Sequence, residues 1–286
     1  MPASGEISHV SDTARWVALY RAMETERPDA LFRDPHARRL AGERGAEILR
    51  ALPNGRKWAW PMIVRTAVLD ELILRAVGRD GVDTVLNIAA GLDARAYRLP
   101  LPPWLRWIDV DFPEVVAYKR DQLAKERPVC ALEYAGIDLT DAGRRDALFA
   151  RVAAGGRVVL VLSEGLLVYL TPEQVRTLAH ALHAQGSFRW WLMDLASPRL
   201  IKLLEKTWGK AVQQAAPFHF APAEGTAFFT PLGWQEAEFR SMWEESLRLK
   251  RSVPLARVWD FLGRFSSKTR REGMRRMSGI VLLERV

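Results

Sequence analysis

The stretch LNIAAGLDAR, residues 86–95, decides the fold because it is typical of a buried strand that ends in a turn of small residues. Such turns often bind a nucleotide at the start of the next helix. The three-glycine fingerprint of a dinucleotide site is absent here, because Ala89 and Ala90 precede the only glycine, Gly91. The turn therefore suits a ligand that approaches the backbone closely but has no phosphates.

Further short apolar runs follow this strand and alternate with helix-like stretches. The runs at 83–90, 105–110, 130–135, 157–163 and 188–195 are too short for helices and are apolar on both faces. Strands of that kind belong to a parallel sheet that helices cover. We predict a Rossmann-like α/β fold with a seven-stranded, mostly parallel sheet and helices on both faces. Two late strands are predicted at about 246–253 and 278–286, and helices at 113–126, 141–152, 172–185 and 198–214.

The chain outside this core has a different pattern. Helical spacing of apolar residues predicts helices from Ser11 to about Arg27 and from Trp60 to Val77. Pro217 to Trp234 is rich in Pro, Phe and Gly, which favours a lid or binding loop. We expect one domain with a helical N-terminal cap (1–80), a ligand-binding core (81–195), and a lid with C-terminal strands (196–286).

Composition excludes several classes of protein. Cys130 is the only cysteine of the 286 residues, so neither an internal disulfide nor a cysteine-based metal site is possible. No apolar run reaches the roughly 20 residues of a membrane span. The N-terminus lacks the pattern of a signal peptide. We expect a cytoplasmic protein that needs neither a membrane nor a metal.

The net charge of +8 arises mostly late in the chain, in the basic segment 248–276. A basic excess could bind nucleic acid or another anionic partner. We find no aromatic pattern of the RNA-binding kind there, so a solvated arginine-rich surface is favoured. No nucleic-acid partner is expected, and the sequence is silent on the oligomeric state.

Carboxylates follow successive strands, where parallel sheets bind their ligands. Asp111 follows the second strand and is placed to accept hydrogen bonds from a ribose diol. Asp138 and Leu139 follow the third and could hold an adenine, and Glu164 follows the fourth. Like charges disfavour a polyphosphate there but suit hydroxyls, amines or a cation. S-adenosylmethionine (SAM) has these groups, and Arg65 is a candidate for its carboxylate.

The same motifs resemble the leucine carboxyl methyltransferase-like family. The resemblance rests on VLNIAAGLDARAYRL, SDTARWVALYRA, LFRDPHARRLAG, VRTAVLDELIL, DVDFPEVVAYKRDQL and SEGLLVYLTPEQV, and weakens after about residue 196. It implies a class I SAM-dependent methyltransferase fold. It also implies that Arg65 binds the SAM carboxylate, Asp111 the ribose, Asp138 and Leu139 the adenine, and Glu164 the ammonium, with Ala89, Ala90 and Gly91 beneath the ligand.

Three departures from the family pattern stand out. Many members have glycine in place of Ala89, and we expect alanine to be tolerated there if φ stays negative. Ala94 replaces the usual threonine. The protein-specific leucine carboxyl methyltransferase has a lysine in its N-terminal motif, whereas ARWVALYRA has none. This last departure leaves a protein substrate open to question.

The expected function is a SAM-dependent O-methyltransferase acting on a small-molecule carboxylate or aromatic hydroxyl. A carboxylate is ionised at pH 7 and needs no base. A hydroxyl would be helped by one, for which His219 is the candidate. Tyr169, which follows Glu164 at the mouth of the site, is the second candidate catalytic residue and is expected to contact either SAM or the acceptor. The alternatives are a protein C-terminal carboxyl methyltransferase, an NAD(P)-dependent reductase, and a non-catalytic SAM-binding protein.

Overall fold

The computed structural model describes residues 10–51, 55–204, 217–263 and 267–286, together with 206 and 265. Its centre is a seven-stranded sheet in the order β3-β2-β1-β4-β5-β7-β6. Only β7 runs antiparallel to its two neighbours. The predicted seven-stranded, mostly parallel sheet is therefore confirmed. The strands are β1 Thr84–Ile88, β2 Arg106–Asp111, β3 Ala131–Gly136, β4 Val159–Ser163, β5 Phe188–Ala196, β6 Trp234–Ser241 and β7 Ser278–Arg285.

The central strands are buried along their whole length. Alternate residues of β1 and β4 supply two separate apolar cores, one on each face of the sheet. Ile88 and Val161 belong to one core, and Val85 and Leu160 to the other. Because neither face of these strands meets water, the sequence shows them as continuous apolar runs.

Helices cover both faces, and several begin with recognisable caps. Thr171 forms a capping box with Gln174 at the start of one helix, and Asp141 accepts from the backbone N–H of Arg144 at the start of another. The helices that precede β6 are α1 Val10–Thr25, α2 Ala37–Ala51, α3 Ala59–Arg79, α4 Arg95–Arg98, α5 Pro113–Gln122, α6 Ala142–Gly155 and α7 Pro172–His183. Residues 198–204 are also helical, and the rest of the predicted helix 198–214 lies outside the described residues, apart from Lys206.

The N-terminal helices form a third apolar core of their own. Trp16 of α1, Leu40 of α2 and Ile63 of α3 pack together in it. Leu92 and Ala94, from the turn after β1, join the same core. The predicted helical cap is therefore packed directly against the turn that was singled out in the sequence.

The prediction of a strand at 246–253 is wrong. Residues Met242–Arg248 form a helix, and the strand that precedes β7 is Trp234–Ser241 instead. Glu244 and Glu245 occupy the first turn of the helix, where carboxylates are favourable. The true strand was missed because it lies at the sheet edge and only its first and last residues, Trp234 and Ser241, are fully buried.

The connection between β6 and β7 leaves the sheet at one end of its strands. Ser241 at the end of β6 pairs with Gly279, and Ser278 pairs with Ala196 at the end of β5. Residues 242–277 therefore emerge at the end of the sheet that carries the carboxyl ends of the parallel strands. Two further helices in this connection are Ala256–Gly263 and Lys268–Arg275. No helix in the described part of the chain is long and apolar enough to span a membrane.

Candidate functional site

A cavity of about 460 Å³ opens at the carboxyl ends of the parallel strands. Its lining divides into two chemically different sets of residues. The charged lining consists of Arg21, Arg65, Asp93, Arg95, Asp111, Glu164 and Asp194. The apolar lining includes Trp16, Val17, Leu166, Leu200, Ile201, Leu204, Phe218 and Phe220. The cavity therefore has the composition expected of a site for one polar and one apolar ligand group.

The turn after β1 forms part of the cavity wall. Ala89, Ala90 and Gly91 all line it. The expectation that Ala89 keeps a negative φ is wrong, because its φ is +51°. Gly91 has a similar φ of +50°, and a Cβ there would lie 3.2 Å from the Cβ of Ala14 in α1. The turn thus bends through two left-handed residues, one of which is an alanine that must bear the steric cost.

Asp111 lines the cavity, whereas Asp109 does not. The two carboxylate oxygens of Asp111 accept from the backbone N–H of Gly91 at 2.6 Å and of Phe112 at 2.7 Å. Burial raises the pKa of Asp111, and these two hydrogen bonds oppose that rise. Asp109 is buried within β2 and accepts a hydrogen bond from Lys119 Nζ at 2.7 Å. Only Asp111 can therefore reach a ligand in the cavity.

Arg65 and Glu164, two predicted SAM-binding residues on separate elements, are in direct contact. Arg65 Nε donates to Glu164 Oε1 at 2.9 Å, and its Nη1 donates to Asp194 Oδ2 at 3.2 Å. Arg65 also packs closely on Gly165, where a Cβ would lie 3.2 Å from Arg65 Nη1. A guanidinium has five N–H donors, so three remain after these two hydrogen bonds.

Arg95 is a member of this network that sequence reasoning missed. It is 2% exposed and donates to Glu164 Oε2 and Asp93 Oδ2, both at 2.7 Å, and to Asp70 Oδ1 at 2.6 Å. Burial alone would raise the pKa of Glu164, yet Arg95 and Arg65 together hold it below its ordinary value. Glu164 is therefore an ionised acceptor. The signal for Arg95 was present in the sequence, since it lies in the same motif as Gly91.

Arg21 connects the N-terminal cap to the turn, and it was also missed. Its Nη2 donates to the backbone oxygen of Leu92 at 2.5 Å. Its Nε donates to Asp34 Oδ2 at 2.9 Å, and both side chains are almost fully buried. The resembling stretches near the N-terminus contain these two residues. Their hydrogen bonds hold the turn after β1 against the N-terminal cap.

The two candidate catalytic residues occupy different environments. Tyr169 lines the cavity, shares a side-chain hydrogen bond with Thr13, and lies 5.8 Å from Phe218 between ring centroids. Burial raises the pKa of Tyr169, although Arg65 and the Thr13 hydrogen bond oppose this. His219 is exposed and does not line the cavity, and its backbone N–H donates to the oxygen of Val168.

Asp138 and Leu139 also lie outside the cavity lining. Asp138 Oδ1 accepts from the backbone N–H and the hydroxyl of Thr140, both at 2.8 Å. Leu139 packs against the apolar core on one face of the sheet. The structure thus brings together six of the eight predicted SAM-binding residues and leaves these two beside the cavity. Among the described residues, no cluster of His, Cys, Asp or Glu could hold a metal ion.

Comparison with known families gives a match over most of the core. A family model described as leucine carboxyl methyltransferase matches residues 14–183. A protein of Frankia alni that is named as a SAM-dependent methyltransferase is 34% identical over 255 residues, covering 82% of this chain and 85% of its own. A protein of the same description from Mycobacterium sp. strain KMS is 31% identical, covering 86% and 89% of the two chains.

Solved structures agree on the fold. A DUF574 family protein from Streptomyces avermitilis superposes with a TM-score of 0.58 at 12% identity, covering 96% of this chain and 97% of that one. A protein from Thermobifida fusca described as a methyltransferase gives 0.54 at 17% identity, covering 93% and 94%. At these identities the likeness concerns the fold alone.

Proposed function

Because the chain belongs to the leucine carboxyl methyltransferase family, we propose that it transfers a methyl group from SAM to an oxygen of a small apolar molecule. That it is a SAM-dependent methyltransferase follows from its named relatives and its family. A SAM-dependent methyltransferase is a different class of enzyme from the NAD(P)-dependent reductase that the sequence left as an alternative. The proposal concerns the acceptor and the residues that serve it.

The residues of the charged lining fit SAM, which supplies a methyl group already activated by a sulfonium. Asp111 keeps free lone pairs for ribose hydroxyls, because each of its oxygens accepts only one backbone hydrogen bond. The three remaining donors of Arg65 suit a carboxylate, and the ionised Glu164 suits an ammonium group. Ala89, Ala90 and Gly91 allow close approach to the backbone. Asp138 and Leu139 remain proposed adenine contacts at the side of the cavity.

The apolar lining is the observation that carries the proposed acceptor class. Trp16 and Val17 come from the N-terminal cap, Leu200 and Ile201 from the 198–204 helix, and Phe220 from the predicted lid. Side chains of this kind bind an aliphatic or aromatic body by excluding water from it. They also exclude water from the reacting atoms, so that the chain contributes chiefly orientation and proximity to an in-line displacement.

The acceptor oxygen must already be ionised, or nearly so, when the acceptor binds. All four carboxylates of the charged lining accept hydrogen bonds from arginines or backbone amides. Those bonds involve Asp93 with Arg95, Asp111 with Gly91 and Phe112, Glu164 with Arg65 and Arg95, and Asp194 with Arg65 and Gly165. Tyr169 is neutral at pH 7, since the ordinary pKa of tyrosine is about 10 and burial raises the pKa of Tyr169 further. A carboxylate or an acidic phenol meets this requirement, since neither depends on a strong protein base.

Protein C-terminal carboxyl methylation is the second candidate, and the family description favours it. It shares the carboxylate chemistry and differs only in the size of the acceptor. In the described residues of α1, Val10–Thr25, no lysine corresponds to that of the protein-specific enzyme. We therefore place the small-molecule reaction first.

Two measurements test the proposal. Calorimetry with SAM, S-adenosylhomocysteine and NADH should show binding of the first two and none of NADH. Methyl transfer from SAM is then assayed against aromatic acids, aliphatic acids, acidic phenols and peptides with a free C-terminal carboxylate. Turnover of apolar acids or phenols supports the proposal, and turnover of peptides alone replaces it with the second candidate. SAM binding without turnover of any acceptor would favour a non-catalytic protein.

A further inference from the structure

The connection between β6 and β7 carries a surface that the methyl-transfer site does not use. This connection, residues 242–277, leaves the sheet at the edge where the cavity opens, as the pairing of Ser241 with Gly279 shows. Its helix Ala256–Gly263 rests on the preceding helix through Trp243 Nε1, which donates to Asp260 Oδ1 at 3.3 Å. The connection is thus attached to the fold at the end of the sheet where the cavity opens.

Exposed apolar side chains concentrate in this connection. Single exposed apolar residues are normal on any protein, whereas a contiguous group of them marks an interaction surface. Trp259 is 62% exposed and Phe265 is 78% exposed, and the ring of Phe265 packs against that of Phe261, 5.5 Å away between centroids. Of the eleven large apolar residues that are exposed in the described chain, six lie here: Val253, Leu255, Val258, Trp259, Phe261 and Phe265.

Cations without carboxylate partners follow this apolar group directly. Lys268, Arg270 and Arg271 are exposed, and in the described part of the chain no acidic side chain pairs with them. The neighbouring Arg275 and Arg276 behave differently, because they pair with Glu244 and Glu236. The sequence analysis interpreted the whole basic segment as a solvated surface. It missed the aromatic side chains beside the cations because their exposure cannot be read from sequence.

We propose that residues 253–263, 265 and 267–271 form a docking surface for an anionic lipid bilayer. Aromatic and aliphatic side chains that are flanked by Lys and Arg are typical of segments that lie in the bilayer interface without crossing it. A second copy of the chain is a poor occupant, because it would bring the same cations against Lys268, Arg270 and Arg271. The sequence expectation that no membrane is involved rested on spanning segments and does not bear on this surface.

The docked arrangement also has a geometric consequence. The connection emerges at the cavity-bearing edge of the sheet, so docking would turn that edge toward the bilayer. An apolar acceptor that partitions into lipid would then be concentrated near the cavity. This consequence rests on the proposed function, whereas the docking surface itself does not.

The test is co-sedimentation of the full chain with vesicles of equal parts phosphatidylglycerol and phosphatidylcholine, and with vesicles of phosphatidylcholine alone. The expected result is binding to the first that weakens as salt increases, and little binding to the second. The variants W259A/F261A/F265A and K268Q/R270Q/R271Q should each bind at least about ten-fold more weakly.

Matched controls come from the opposite end of the sheet, where the parallel strands begin. Trp104→Ala removes an aromatic side chain that is 61% exposed, and K125Q/R127Q/R157Q removes three exposed cations, giving the same net charge as the other triple variant. Both controls should bind like the wild type, and thermal unfolding checks that every variant is folded. Absence of binding to anionic vesicles, or equal losses in variants and controls, would overturn the proposal. So would sedimentation velocity showing that W259A/F261A/F265A dissociates a dimer, since the surface would then belong to a second copy.

Discussion

The backbone N–H of Gly91 donates a 2.6 Å hydrogen bond to the carboxylate of Asp111, so the turn after β1 and the end of β2 hold each other in place. One oxygen of the proposed ribose acceptor is therefore fixed by the same turn that forms the cavity wall. Ligand affinity at this point depends on both elements.

Asp111→Ala should weaken SAM binding by about 1–3 kcal/mol, or roughly 5–150-fold, because the variant loses the carboxylate that accepts from the ribose. Calorimetry with SAM measures the change. Asp121→Ala, on an exposed part of α5, should leave the affinity unchanged. A folded Asp111→Ala protein with wild-type affinity would remove Asp111 from the site.

Ala89→Gly should raise the free energy of unfolding by about 0.5–1 kcal/mol. Glycine adopts the observed φ of +51° without the steric cost that alanine bears there. Ala90→Gly is the matched control, since Ala90 does not have a positive φ and glycine there only increases the entropy of the unfolded chain. Urea unfolding measures both. If both glycine variants are destabilised equally, the left-handed conformation of Ala89 is wrong.

Glu164→Gln should change how stability depends on pH. The pKa of Glu164 is held below its ordinary value of 4.5, so its ion pairs stabilise the fold above that pH. That contribution is lost as the pH falls through the lowered pKa. The variant should be less stable than the wild type by about 1–3 kcal/mol at pH 7, and the difference should shrink at acidic pH. A difference that stays constant from pH 7 to about pH 3 would contradict the lowered pKa.

Lys119→Met should destabilise the protein by about 3–5 kcal/mol, because it leaves the buried Asp109 without its cation. Lys119 and Asp109 are 1% and 2% exposed. Lys125→Met, at an exposed position, should change the unfolding free energy by less than about 0.5 kcal/mol. Urea denaturation at pH 7 gives both values. Equal small effects would contradict the prediction, because the ion pair of Lys119 with Asp109 would then contribute nothing to stability.

Much of the sheet could be predicted because its central strands are buried on both faces. Val85 and Leu160 point to one core, and Ile88 and Val161 to the other, so each strand is a continuous apolar run. Edge strand β6 lacks that signal. Its place was given to 246–253, where the alternation of Leu247 and Leu249 among polar residues imitates a strand.

The site was predictable where a residue follows a strand directly, and less so where it depends on long-range pairing. Asp111 and Glu164 follow β2 and β4 and reach the cavity. The partnership of Arg95 with Asp70 and Glu164 joins residues 25 and 69 positions apart, and no local pattern encodes it. The positive φ of Ala89 was equally hidden, since alanine ordinarily avoids that region.

The two sets of residues that line the cavity come from separable parts of the chain. Five of the seven residues of the charged lining, from Arg65 to Glu164, belong to α3, α4 and the first four strands with their turns. Much of the apolar lining belongs to α1 and to residues 200–204 and 218–220. Under the proposed function, acceptor preference can therefore diverge by substitution in those two segments without removing the ion pairs. For protein engineering, a library confined to Trp16, Val17, Leu200, Ile201 and Phe220 would search for new acceptors while the residues of the proposed methyl-donor site stay unchanged.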